Sequence, residues 1–136
     1  MFRTILLPID LSAEASWEKA LPAAQRLLDD GGALHVLAVF PDISLVANYF
    51  PADFESGAMH DIGEKLTEWV AANAPDATPH VMHGRIYDEI IQAAERLNAD
   101  AIVMASHRPS VADYLIGPNA ARVVQHAKQS VFVVRS

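Results

Sequence analysis

Cysteine is absent from this chain. That excludes a disulfide framework, a thiolate zinc site and a cysteine nucleophile, and it fits a reducing compartment. Positive charge is scarce: 10 Lys and Arg stand against 17 Asp and Glu, a formal charge of −7. Counterion release at a duplex needs a basic face, so nucleic acid is not an expected partner. No apolar run approaches the roughly 18 residues that cross a bilayer. The opening MFRTILLPID carries one Arg and no small-residue cleavage site, so a cytoplasmic protein with no membrane association is expected. The motifs of common catalysts are missing as well. There is no G-x-S-x-G elbow, no GxxxxGK phosphate loop and no spaced pair of carboxylates for acid–base work, so an enzyme is not expected.

What is present is an alternation. With 51% hydrophobic residues in 136, the chain can build one core, and a single domain over residues 1–136 is expected. Short apolar or β-branched runs at Thr4–Ile9, Leu34–Phe40, Thr78–His83, Ala101–Ala105 and Ser130–Arg135 read as five strands. Between them, apolar residues step by three or four: Trp17, Ala20, Leu21, Ala24, Leu27 and Leu28; Met59, Ile62, Leu66, Trp69 and Val70; Ile86, Ile90, Ala93, Ala94 and Leu97; Ala120, Val123, Val124 and Ala127. These are four helical faces. Strict βα alternation predicts an α/β fold: a single open five-stranded parallel sheet, Rossmann-like, with right-handed crossovers and helices on both sides. Ser12 is expected to cap the first helix, Gly31 and Gly32 to follow its end, and Pro22 to kink it. Pro41–Glu55, long and rich in aromatics, reads either as a lid or partner surface or as a surface insertion.

In such a sheet, ligands settle beyond the carboxyl ends of the strands, where chain order reverses and helix N-termini point into a crevice. Asp10, Phe40–Asp42, His83–Arg85 and Ser106–Ser110 lie at those ends, and a helix begins at Gly117-Pro118-Asn119 with Pro at its first position. His80 and His83 are three apart on one strand and face opposite ways, so no metal site is expected from them.

The residues resemble one known family, the universal stress proteins. The likeness runs through Thr4-Ile5-Leu6-Leu7-Pro8-Ile9-Asp10, Leu34–Val39, Gly84–Ile91, Ala99–Met104 and Gly117–Val134, and so over essentially the whole chain. It implies a strand order of 3-2-1-4-5. A response-regulator reading lacks the Lys after the last strand, and a flavodoxin reading lacks a Ser/Thr-rich loop after the first.

The same resemblance implies a site for adenine nucleotide, ATP, formed by Pro8, Asp10, Val39, Ala105, Ser106, Arg108, Gly117, Asn119 and Ala120. Asp10 would meet the ribose or adenine edge and the Val39 backbone the adenine; as a turn former, Asp10 would instead serve only local hydrogen bonding. The family's phosphate loop, G-x2-G-x9-G-S/T, is only partly matched. Ala105 stands for the first Gly, His107-Arg108-Pro109 occupies the region of the second, and Pro118 replaces the Ser or Thr after Gly117. Two lost phosphate donors, at roughly 1.5–3 kcal/mol each, weaken binding on the order of 10²–10⁴-fold unless compensated. Arg108 is the compensating residue expected, with the N–H groups of Asn119 and Ala120.

Ser130–Val134 would be an edge strand without Pro or Lys, which predicts a homodimer formed through it. The function expected is therefore a homodimeric, ATP-binding stress-response protein. The alternative is a nucleotide-independent interaction module of the same fold, recognising a protein partner through the dimer surface or Pro41–Glu55.

Overall fold

The first apolar run forms β1, Phe2–Ile9, in the computed structural model, which describes residues 1–41, 53–106 and 118–135. A 3₁₀ turn at Glu14–Ser16 leads into α1 (Ala20–Leu27), which passes directly into β2 (Leu28–Pro41). Then follow α2 (Phe54–Asn73), β3 (Thr78–Gly84), α3 (Ile86–Arg96), β4 (Ala101–Ser106), α4 (Pro118–His126) and β5 (Ser130–Arg135). The strands form one parallel sheet in the order β3-β2-β1-β4-β5.

Burial explains the sequence pattern. β1 and β4 lie inside the sheet with helices on both faces, so Ile5, Leu6, Leu7, Ile102, Val103 and Met104 are all fully buried. Their continuous apolar runs are what a strand covered on both sides requires. Each such side chain contributes about 1.5–3 kcal/mol by leaving water. Odd-numbered residues of β1 (Ile5, Leu7, Ile9) share one core with α1 and α2, while Leu6 shares the other with Leu37, Ile102, Met104, α3 and α4.

Chain order reverses between β1 and β4, and there the two strands part. β1 stays paired with β2 up to Ile9↔Ala38, but its pairing with β4 stops at Leu6↔Ile102. Pro8, with no N–H to give a ladder, sits beyond that last β4 pair. The separation opens a crevice at the carboxyl edge, the position at which open parallel sheets take ligands. At the opposite end, the Asp100 carboxylate accepts the N–H groups of Arg3 (3.1 Å) and Thr4 (3.0 Å), and its own N–H donates to the Thr4 carbonyl (2.8 Å). This ties the start of β4 to β1.

Three local features differ from the sequence reading. Ser12 does not cap a helix, because Asp10 recruits it into a turn, and α1 begins only at Ala20, leaving Trp17 outside it. Pro22 is then the third residue of α1; the first-turn N–H groups have no intrahelical acceptor, so a missing one costs the helix little. Gly31 and Gly32 do not lie beyond a helix end but inside β2, where Asp29–Gly32 stand opposite Arg3 alone, between the pairs Phe2↔Leu28 and Thr4↔Ala33. Gly31 adopts φ +77° there, and a Cβ on Gly32 would lie 2.7 Å from the Arg3 carbonyl oxygen.

Candidate functional site

The crevice is built from the tip of β1. Asp10 follows Ile9 and is held through every polar atom but one. Its N–H donates to Ser16 Oγ (2.8 Å), its carbonyl accepts from Ser16 Oγ (3.0 Å) and from the Ala13 N–H (3.0 Å), and Oδ1 accepts from the Ser12 N–H (2.9 Å) and Ser12 Oγ (2.6 Å). This is an Asp-initiated turn, the local role weighed for Asp10. Oδ2 is left over, buried and with no hydrogen-bond partner. A buried acceptor without a donor costs about 1–3 kcal/mol, more when charged, so such an atom calls for a donor from outside the chain. Ser16, 1% exposed, is the residue that sequence reasoning missed. A lone serine between Ala15 and Trp17 carries no signal of a role; only the fold places it against Asp10.

The remaining expected residues divide by face. Successive strand residues point to opposite sides, so Pro8 shares the side of Leu6, Val39 that of Leu37, and Ser106 that of Met104, while Asp10 follows the end of β1. Leu6, Leu37, Met104 and Ala120 belong to the one core under α3 and α4, and Val39 packs against it. Pro8, Val39, Ser106 and Ala120 are thus brought to one side of the sheet, and Asp10 stands at the tip of β1 beside the opening between β1 and β4. Ala105 belongs to the other core and turns only its backbone toward the crevice. Pro118 is the first residue of α4, as expected, with Asn119 and Ala120 in the first turn. Ala120 is 5% exposed, so its side chain fills the core and only its backbone can serve a ligand. Arg108 and Gly117 lie outside the described residues, as do His107 and residues 42–52 of the Pro41–Glu55 stretch.

Two clusters emerge that the sequence did not show. Between the start of α3 and the middle of α4, the Arg122 guanidinium carbon lies 4.9 Å from the centre of the Tyr87 ring, and Arg85 Nη1 donates to Tyr87 Oη at 3.4 Å. The hydrogen bond from Arg85, then that from Arg122, holds the phenol below its ordinary range. Gly84, just before Arg85, has φ +144°, and a Cβ there would lie 2.5 Å from Glu89 Oε1, so this glycine serves backbone geometry.

The second cluster joins two strands: His35 Nδ1 lies 2.8 Å from His80 Nε2. Desolvation lowers the pKa of both, and His80 is lowered further by the charges of His35 and Arg96. His83 instead stacks on Phe40 at 5.5 Å. Val81 and Met82 belong to opposite cores, so His80 and His83 do face opposite ways.

Comparison with known proteins adds a frame to this geometry. A family model described as "Universal stress protein family" matches residues 1–135. A curated relative, Universal stress protein G of Escherichia coli O157:H7, is 37% identical over 142 residues, covering 99% of this chain and 100% of the relative. A universal stress protein solved in complex with cAMP shares the fold at a TM-score of 0.60 and 18% identity, over 98% of this chain and 97% of that one. A family protein from Arabidopsis thaliana solved with AMP bound does so at 0.56 and 17%, over 97% of this chain and 90% of that one.

Proposed function

The chain belongs to the universal stress protein family, and from that premise we propose that it is a cytoplasmic stress-response module that binds ATP between the tip of β1 and the start of α4. The observation that carries this reading is Asp10 Oδ2, a buried carboxylate oxygen without a donor at the mouth of the crevice. A ribose hydroxyl or an adenine amino group supplies the missing hydrogen. Two structural neighbours were solved with cAMP and with AMP, which supports an adenine nucleotide as the ligand class. In this reading Pro8 and Val39 border the base and ribose, and the backbones of Ala105, Ser106, Asn119 and Ala120, with Arg108 and Gly117, face the phosphates. In this reading the protein binds the nucleotide rather than turning it over.

The module acts as a homodimer through β5. This strand is the last in the sheet order and is paired on one side, with β4. Val133 is 38% exposed, and Val131, Phe132 and Val134 are covered only in part. An apolar edge of this kind pairs with another strand. Val133→Lys should convert dimer to monomer in light scattering at tens of micromolar; wild-type protein of monomer mass refutes the dimer.

A second reading is favoured by one observation. Pro118 at the head of α4 removes both an N–H and a hydroxyl from the phosphate side, which suits a scaffold that has given up nucleotide. A thermal-shift titration with ATP, ADP and AMP separates the two. Ligand at 100 times its dissociation constant stabilises by about 2.7 kcal/mol, so a melting temperature unmoved at millimolar nucleotide leaves only the interaction module.

A further inference from the structure

We propose that Asp30-Gly31 is a site of self-modification, where the folded chain closes a succinimide ring and opens it to isoaspartate, which makes the protein a substrate for a carboxyl-methylating repair enzyme.

The chemistry makes two demands. The backbone nitrogen after an aspartate must reach that residue's Cγ, and the segment must be free of its ladder to bend into a five-membered ring. A side chain on the following residue crowds the attacking nitrogen, and glycine has none. Of the chain's 6 glycines, Gly31 alone follows an Asp or Asn. In the reaction the Gly31 nitrogen bonds to Asp30 Cγ, and its proton leaves with a carboxyl hydroxyl as water. Water then adds back. Breaking the N–Cγ bond restores Asp30; breaking the bond from the nitrogen to the main-chain carbonyl carbon routes the chain through the side chain and frees the α-carboxyl group. The water taken up equals the water released, and no oxidant is needed.

An aspartate inside a paired strand is held extended by its ladder hydrogen bonds, so ring closure has to wait for the strand to open. Asp30 is placed differently. Asp29–Gly32 stand opposite Arg3 alone, between the pairs Phe2↔Leu28 and Thr4↔Ala33, and neither Asp30 nor Gly31 has a register partner on β1. On its other side β2 pairs with β3 only from His35 onward. Both residues are exposed. Gly31 sits at φ +77°, off extended backbone, and no atom comes within 4 Å of where its Cβ would lie. Asp29 is a poorer candidate, because its carboxylate pairs with the Met1 ammonium and the residue after it is Asp30.

A segment without ladder partners opens at a free energy near zero. Reactivity in the folded protein should therefore match that of the unfolded chain within about tenfold, an opening cost below about 1.4 kcal/mol. The site is also remote from the crevice. Gly32 and Val39 are seven residues apart on β2, about 23 Å, so the proposal stands apart from the nucleotide reading.

The test incubates wild type, Asp30→Glu and Asp30→Asn in neutral buffer, folded and in urea. Isoaspartate is counted by transfer of a labelled methyl group from S-adenosylmethionine with an isoaspartyl methyltransferase, and located by peptide mapping. Melting temperatures of the fresh proteins check that all three are folded. Label should accumulate in the wild-type peptide that holds residue 30, at rates within about tenfold for folded and unfolded chain. Asp30→Asn closes the same ring with ammonia leaving and should gain label faster, whereas Asp30→Glu needs a six-membered ring and should gain none there. The methyl ester recloses the ring with loss of methanol, so continued methylation should restore aspartate, read as renewed cleavage between Asp29 and Asp30 by an aspartate-specific protease. Equal label in Asp30→Glu and wild type places the reaction elsewhere and overturns the proposal. Folded wild type reacting more than about tenfold slower than the unfolded chain overturns it too, because the bulge would then protect the bond.

Discussion

Replacing Asp10 with asparagine separates its two roles. Asp10→Asn keeps an oxygen at the Oδ1 position, so the bonds from the Ser12 N–H (2.9 Å) and Ser12 Oγ (2.6 Å) survive and the turn holds. The Oδ2 position becomes an amide N–H, a donor where the crevice now presents an acceptor. Without nucleotide the change should be nearly neutral or mildly stabilising, because only the one carboxylate oxygen without a donor is altered. With nucleotide the sign reverses. A hydrogen bond to a charged group is worth about 1.5–3 kcal/mol, and a donor now faces the ligand's own donor, so affinity should fall roughly 10–100-fold. Calorimetric titration of both proteins with ATP, alongside their melting curves without ligand, reads the two effects separately. Equal ATP affinity in the two proteins would refute the assignment and leave Asp10 a turn former. A lower melting temperature for unliganded Asp10→Asn would show that Oδ2 already has a structural use.

Two further substitutions test the scaffold. Gly32→Ala places a Cβ 2.7 Å from the Arg3 carbonyl oxygen and 3.0 Å from that of Asp29, both backbone atoms that cannot move aside cheaply. A loss of about 1–3 kcal/mol in urea denaturation is expected; no loss would mean that the bulge in β2 relaxes freely. The His35–His80 pair sets a pH dependence. Both pKa values are below 6.5 in the folded chain, so the unfolded chain takes up protons first, and the pair's contribution is present above pH 6.5 and is lost as pH falls through the folded values. Arg96, the other charge acting on His80, adds to the penalty on protonation. Melting temperature should therefore fall more steeply below pH 6.5 for wild type than for His80→Gln, and parallel curves would refute the coupling.

Strands, helix faces and the place of the crevice were legible because each follows from a short-range pattern, whereas the strand order 3-2-1-4-5 came from the family resemblance and the sheet has that order. Continuous apolar runs mark strands covered on both sides, and alternation with helices leaves few topologies open. Boundaries were less legible where local groups compete. Ser12 satisfies the composition of a helix cap, yet Asp10, two residues before it, takes its N–H and hydroxyl, and the helix starts later. Gly31 and Gly32 read as punctuation after a helix because glycine tolerates left-handed backbone; the same tolerance lets β2 loop out opposite Arg3 and continue.

Pairs that bridge elements belong to another class, and they show why the site itself was only half legible. His35 and His80 meet because β2 and β3 align with Leu37 beside His80, and a slip of one residue would send the two rings to opposite faces. Arg122 meets Tyr87 because α3 and α4 both cover the core around Ile90 and Val123. Neither register nor helix placement is encoded in the spacing of residues along one element. Asp10 could be found from its position after a strand; its orphaned Oδ2 could not, because that atom is defined by Ser12 and Ser16 consuming every other polar atom of the residue. The chemistry of this crevice depends on which atoms folding leaves unsatisfied, and that remainder is a property of the assembled sheet.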